Sequence, residues 1–124
     1  MSSLVISDQQ DVVIVSFKDV KILDDKSIRQ IGGEFDDLTL QAASGRKLLI
    51  DFSHIAFMSS AMIGQILKLH KHCKRDTIKL KLCGIAPSIM EVFKITALNK
   101  ILEIHPTRAE ALLVFGPPPV GWSP

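Results

Sequence analysis

The spacing of apolar residues along the 124-residue chain predicts strands that alternate with helices. Two apolar runs, residues 4–7 and 12–17, flank the polar tetrapeptide 8–11, and this arrangement is typical of two strands joined in a hairpin. In the next segment apolar residues recur at intervals of three and four positions, at Ile28, Ile31, Phe35 and Leu38. Acidic residues lie between them, so we predict an amphipathic helix with an acidic outer side.

The second half of the chain continues the alternation. Residues 47–52 form a nearly continuous apolar run, which is typical of a strand covered on both faces, and we predict that this is the central strand. A helix is predicted from Ser60 to about Arg75, and a strand with one solvated side over residues 78–83. The remaining predicted elements are a helix that begins at Pro87, a short strand over residues 101–104 and a last helix from Thr107 to Phe115.

This order of elements predicts one α/β domain over residues 1–116. Strands alternating with helices imply right-handed crossovers and a parallel portion of sheet, to which the opening hairpin adds an antiparallel edge. The proline-rich segment 117–124 has no packing period, so we expect a flexible tail. The alternative for this tail is that Trp122 docks on the domain or on a partner.

Composition and charge exclude several classes of protein. With 47% hydrophobic and 23% charged residues the chain is expected to fold. A net charge of +2 is too small to indicate a nucleic-acid partner. The N-terminus shows no secretory signal, and no run approaches the roughly 18 apolar residues of a membrane span, so we expect a cytoplasmic protein. Cys73 and Cys83 have neither metal nor disulfide spacing and are predicted to be buried free thiols.

Candidate chemistry for an enzyme is sparse. The four histidines are spread over a loop, a helix and a strand end: His54, His70, His72 and His105. Two residues apart on a helix is about 200° around its axis, so His70 and His72 cannot share a metal. The pair Gly32–Gly33 lies inside a helical pattern, where it cannot form a phosphate-binding loop. We therefore predict no catalytic residues, no metal and no cofactor.

One segment stands apart from this plain pattern, because a buried strand leads through a short loop to Ser59 and Ser60 at a helix start. A hydroxyl at this place can cap the helix by accepting a hydrogen bond from an N–H group of the first turn. A phosphate would also be favoured there, since those N–H groups and the helix dipole attract anions. The residues alone leave both interpretations open.

The stretch Ile50–Leu67 resembles the signature of STAS-domain anti-sigma factor antagonists. In that signature an apolar strand ends in Asp and a small polar residue, and Phe-Met-Asp-Ser-(Ser or Thr)-Gly-Leu-Gly follows. The residues that match the signature, with isoleucine in place of leucine, are Phe57, Met58, Ser60, Ile63 and Gly64. The residues that differ are Ser59 for aspartate, Ala61 for serine or threonine and Met62 for glycine.

The resemblance implies a mixed sheet of four to five strands with about four helices packed mainly on one side. It also implies a bacterial transcription regulator that switches partners: it binds an anti-sigma factor, itself a serine kinase-like ATPase, until that kinase phosphorylates Ser60, with Ser59 as the alternative acceptor. The implied partner-binding residues are Phe57, Met58, Ser59, Ser60, Ala61, Met62 and Gly64. Two alternatives stay open: a STAS scaffold or accessory subunit that is never phosphorylated, with Met58 and Met62 as anchors, and a domain that binds a small ligand or nucleotide or acts as an enzyme.

Overall fold

The structure is a computed structural model, and it describes residues 3–41, 46–118 and 120–121. The strands of this part of the chain are β1 (Leu4–Gln9), β2 (Val12–Phe17), β3 (Lys21–Ile22), β4 (Lys47–Asp51), β5 (Phe57–Met58), β6 (Lys79–Cys83) and β7 (Ile104–His105). Its α-helices are α1 (Asp25–Gln41), α2 (Ser60–Arg75), α3 (Pro87–Ile95) and α4 (Arg108–Phe115).

Five strands form one mixed sheet in the order β1-β2-β4-β6-β7. Strand β1 pairs antiparallel with β2, as the hairpin prediction required, and the other neighbours are parallel. All five residues of β4 are buried, and this strand lies in the middle of the sheet. Its continuous apolar run reflects burial on both faces of the sheet, and the prediction of a central strand is confirmed.

The helices cover the two faces of this sheet unequally. Helices α1, α2 and α3 pack on one face over the main core, which includes Phe17, Phe35 and Phe52. The ring centroids of Phe17 and Phe52 are 5.2 Å apart, and those of Phe17 and Phe35 are 6.4 Å apart. Helix α4 packs alone on the other face, through Ala111, against a smaller apolar cluster. The predicted α/β class, with helices mainly on one side, is confirmed.

Side chains cap the first and last helices. The amide N–H of Ser27 donates to Asp24 Oδ2 at 3.0 Å, and this bond holds the pKa of Asp24 below its ordinary value. In the same way the N–H of Glu110 donates to Thr107 Oγ1 at 3.1 Å. Each bond satisfies one of the backbone donors that a helix start leaves free.

Two details of the predicted element order are wrong. The strand predicted over residues 101–104 is only β7, which begins at Ile104, because residues 98–100 form a 3₁₀ turn and the N–H groups of Ile101 and Leu102 both bond to Leu98 O. The apolar signal there comes from Leu102, which is buried in the main core without being in a strand. The short strands β3 and β5 were not predicted, and they pair in parallel as a second, two-stranded sheet.

Both cysteines are free and buried, as predicted. Burial raises the pKa of each thiol, Cys73 and Cys83, to about 12. Both therefore stay protonated at neutral pH, where the reactive thiolate is absent.

No helix within the described ranges has both the length and the apolar character needed to cross a membrane. Pro117 is the first residue of the predicted tail, and its carbonyl oxygen accepts a hydrogen bond of 3.4 Å from Lys47 Nζ. Lys47 also pairs with Asp11 at 2.7 Å, and both of these side chains are largely buried. The alternatives predicted for Trp122 concern a residue outside the described ones.

Candidate functional site

The start of α2 is fixed by the small β3–β5 sheet. In that sheet Lys21 aligns with Phe57, and Ile22 aligns with Met58. The N–H of Ser59, the next residue, donates to Ile22 O at 2.9 Å, and helix α2 begins at Ser60. Ser60 is exposed. The short second sheet thus presents this serine at a helix N-terminus with a defined backbone position.

The hydroxyl of Ser59 does not cap α2. Ser59 occupies the N-cap position, with φ −77° and ψ 158°, but its side chain makes no capping hydrogen bond. Its Oγ is buried and has no hydrogen-bond partner among the residues that the structure describes. Ser60, already the first helical residue, is not the cap either. Of the two interpretations left open for these serines, capping is therefore wrong, and the first turn of α2 carries no acidic residue in place of a cap.

Met62 is also not where the resemblance implied. Its exposed fraction is 0%, and it lies in the main core. Successive residues turn by about 100° on a helix, so a residue two positions after the outward-facing Ser60 points inward. The prediction that Met62 lies at the partner-binding surface is therefore wrong, because its side chain fills the core beneath Ser60.

The other expected partner-binding residues surround Ser60 at the surface. Phe57 is 55% exposed, Met58 and Ser59 are half-buried, and Ala61 and Gly64 are exposed. Near the β3–β5 sheet, Val20 and Leu23 are exposed as well, at 43% and 55%. These two residues were not predicted from the sequence. Their local pattern does not show that β3, which they flank, pairs with the strand before Ser60.

A groove of about 230 Å³ opens beside Ser60, towards α3. Its lining contains no charged residue and consists of Ala56, Phe57, Met58, Ser60, Ile63, Ser88, Ile89 and Val92. The ammonium of Lys21 lies 5.3 Å from the centroid of the Phe57 ring, at cation–π distance. An apolar groove with two hydroxyls and a nearby cation can bind a protein segment, and none of these side chains is a nucleophile with an adjacent base.

A second polar cluster lies where β4 ends. Asp51 Oδ2 accepts a hydrogen bond from Arg108 Nε at 2.9 Å and lies 2.8 Å from Arg108 Nη2 in an ion pair, while Oδ1 accepts a hydrogen bond from the Ser53 N–H at 2.9 Å. Burial alone would raise the pKa of Asp51, but the bonds from Ser53 and Arg108 hold that pKa below its usual value. The pair joins α4 to the start of the loop that leads to Ser60.

Gly84 makes this arrangement possible. Its φ is +69°, which favours glycine, and a Cβ atom there would lie 2.9 Å from both Asp51 Oδ1 and Ser53 Cβ. No local pattern predicts the Asp51–Arg108 pair, since 57 positions separate the two residues.

The histidines remain separate. His105 Nε2 lies 2.7 Å from Glu103 Oε2, and His72 Nδ1 lies 3.4 Å from Asp36 Oδ1. His54 is exposed in the loop before β5. Within the described ranges no group of three or more His, Cys, Asp or Glu side chains could hold a metal ion.

The chain is an α/β domain with a five-stranded mixed sheet, three helices on one face and an exposed serine at the start of the second helix, which is the architecture of STAS domains. The STAS domain family matches residues 35–111, more than half of the chain. The chain belongs to the STAS domain family.

Solved structures share this fold. An anti-sigma-factor antagonist (STAS) domain protein from Planctomyces limnophilus has a TM-score of 0.82 at 26% identity, over 94% of this chain and 99% of that one. A putative anti-sigma factor antagonist from Thermotoga maritima has a TM-score of 0.77 at 20% identity, over 90% and 92%. The Bacillus cell fate determinant SpoIIAA in its phosphorylated form has a TM-score of 0.68 at 17% identity, over 90% and 98%.

Proposed function

We propose that this protein is an anti-sigma factor antagonist that binds an anti-sigma serine kinase through the surface around Ser60, and that phosphorylation of Ser60 breaks the complex. The observation that carries the proposal is the exposed Ser60 at the first position of α2, in a STAS domain whose sequence at this place resembles the antagonist signature. The likeness to the antagonist from Planctomyces limnophilus, over almost the whole of both chains, supports it further.

The surroundings of the two serines favour Ser60 as the acceptor. A kinase must bring the γ-phosphate of ATP into contact with the hydroxyl oxygen. The Ser59 oxygen is buried, whereas Ser60 is exposed. Phosphate on Ser60 would also lie at the positive end of the α2 dipole, where no acidic residue of the first turn repels it.

A phosphate on Ser60 would weaken the binding of a partner to this surface. Exposed apolar side chains lie on and beside the β3–β5 sheet that leads to Ser60, among them Leu23 and Phe57, each 55% exposed. A partner that covers these side chains removes Ser60 from water. A group carrying about −1.5 to −2 charges would then lose its hydration without an assured counter-ion, so the complex is weakened.

The test is phosphate mapping. The protein is incubated with ATP and anti-sigma serine kinases from the same genome, and the modified residue is identified by mass spectrometry. We expect phosphate on Ser60, no incorporation into Ser60→Ala and full incorporation into Ser59→Ala. A partner complex that forms without any phosphate on Ser60, and persists with Ser60→Asp, would instead identify a scaffold or accessory STAS subunit.

Replacing Gly64 by alanine should stabilise the free protein and weaken its complex. Gly64 is exposed inside α2, and nothing in the described structure lies within 4 Å of an added Cβ. Alanine therefore gains about 1 kcal/mol of helix stability. One turn from Ser60, the added methyl group would hold a closely packed partner away, and we expect Kd to rise by about tenfold.

The matched control for this change is Gly33→Ala. Gly33 is also an exposed glycine inside a helix with open space at its Cβ, but it lies on α1. It should give the same gain in the free energy of unfolding, measured by urea denaturation, with an unchanged Kd in calorimetry. Equal Kd values for the two variants would place Gly64 outside the interface.

A further inference from the structure

The groove beside Ser60 lies between two helix N-termini that lack side-chain caps. Ser60 is the first residue of α2, Ser88 is the second residue of α3, and both line the groove. The N-cap residue of α3 is Ala86, which has no polar side chain, and the Ser59 hydroxyl makes no cap bond. Neither helix has an acidic residue in its first turn.

The other two helices differ in this respect. Asp24 caps α1 and Thr107 caps α4, and each of these helices carries an acidic residue in its first turn. The helix starts away from the groove therefore have both a capping side chain and an acidic residue in the first turn, and the two helix starts beside the groove have neither. The Lys21 ammonium adds a positive charge beside the groove, because it lies over the ring of Phe57, which lines the groove.

The interior of the groove has the opposite character. Its floor and walls are apolar, with Ile63 and Ile89 buried and with Phe57 and Val92 55% and 37% exposed. A volume of about 230 Å³ has room for a large apolar side chain. Burial of such a side chain is favourable by about 25 cal/mol for each Å² removed from water.

We propose that this groove receives a segment of the partner protein in which a large apolar residue is next to an aspartate or glutamate. The apolar side chain fills the groove, and the carboxylate lies between the two helix starts and Lys21. This proposal rests on the proposed function and specifies the partner's contact. It also gives the switch a direct cause, because phosphate on Ser60 places a competing anion at the groove and repels the partner's carboxylate.

The first test uses defined peptides and needs no kinase. Three acetylated, amidated peptides, Gly-Leu-Glu-Gly, Gly-Leu-Gln-Gly and Gly-Ala-Glu-Gly, are titrated into the full chain labelled with ¹⁵N. For the Leu-Glu peptide we expect the amide signals of Ser60, Ile63, Ser88 and Val92 to shift. Its affinity should exceed that of each of the other two by about threefold. Shifts elsewhere, or equal affinity for glutamate and glutamine, would overturn the proposal.

The second test uses the complex with the kinase. Val92→Glu places a carboxylate at the groove, and Kd should rise by at least about tenfold. Val5→Glu is the matched control, because Val5 is 44% exposed on β1, away from the groove, and its Kd should stay at the wild-type value. A Val92→Glu protein that binds normally, yet is still released by phosphorylation of Ser60, would overturn the groove proposal and leave the proposed function standing. If Val92→Glu weakens the complex but phosphorylation of Ser60 does not, the groove proposal stands and only the proposed function is overturned.

Discussion

Replacement of Met62 by glycine, the residue of the family signature, should lower the free energy of unfolding by about 3–6 kcal/mol. Met62 is completely buried, so its removal leaves a cavity in the main core beneath α2. Truncation of a buried methionine to alanine costs about 2–5 kcal/mol, and glycine in a helix costs about 1 kcal/mol more. The total free energy of unfolding of a domain of this size is only about 5–15 kcal/mol, so we expect the variant to unfold well below the wild-type temperature.

The measurement is urea denaturation followed by circular dichroism, with two companion variants. Ala61→Gly changes the exposed neighbouring residue and isolates the cost of glycine in the helix, about 1 kcal/mol. Met62→Leu nearly keeps the volume and should cost less than about 1.5 kcal/mol, which provides a folded reference if the glycine variant does not fold. Similar losses for Met62→Gly and Ala61→Gly would show that Met62 is not a core residue.

The misplacement of Met62 shows what a family signature adds and what it obscures. The signature correctly pointed to Ser60 as an exposed residue at a helix start, and the sequence predicted the bounds of α2, Ser60–Arg75, as they are observed. Neighbouring positions of the signature do not share one surface, because residues two positions apart on a helix, such as Ser60 and Met62, face opposite sides. Periodicity applied to the signature itself would have assigned Met62 to the core.

Features that depend on distant pairs could not be predicted. Strand β4 was predictable because burial on both faces leaves a continuous apolar run in the sequence itself. Strands β3 and β5 have two residues each, too few to show a period, yet they set the position of α2. The Asp51–Arg108 pair depends on how α4 returns to the sheet, and no local pattern records that contact.

Ser60→Asp should weaken binding to the anti-sigma kinase by at least about 100-fold, or about 2.7 kcal/mol, while Ser60→Ala stays within about threefold of wild type. The carboxylate would lie at an exposed position surrounded by apolar side chains that a partner must cover, so the complex has to desolvate a charge. In the free protein the same carboxylate lies at the start of α2, where it should stabilise the helix by about 0.3–1 kcal/mol.

Weaker binding together with higher stability of the free protein distinguishes a switch from damage to the fold. Calorimetry gives Kd, and thermal unfolding of the free variants gives the change in stability. Ser7→Asp is the control for an added charge, since Ser7 is exposed on β1 at the edge of the main sheet, and it should leave Kd unchanged. If Ser60→Asp binds as tightly as Ser60→Ala, charge at this position does not control the complex. If Ser60→Asp loses binding and stability together, the loss comes from unfolding. Loss of binding by a variant at least as stable as wild type is the result that an electrostatic switch at the start of α2 requires.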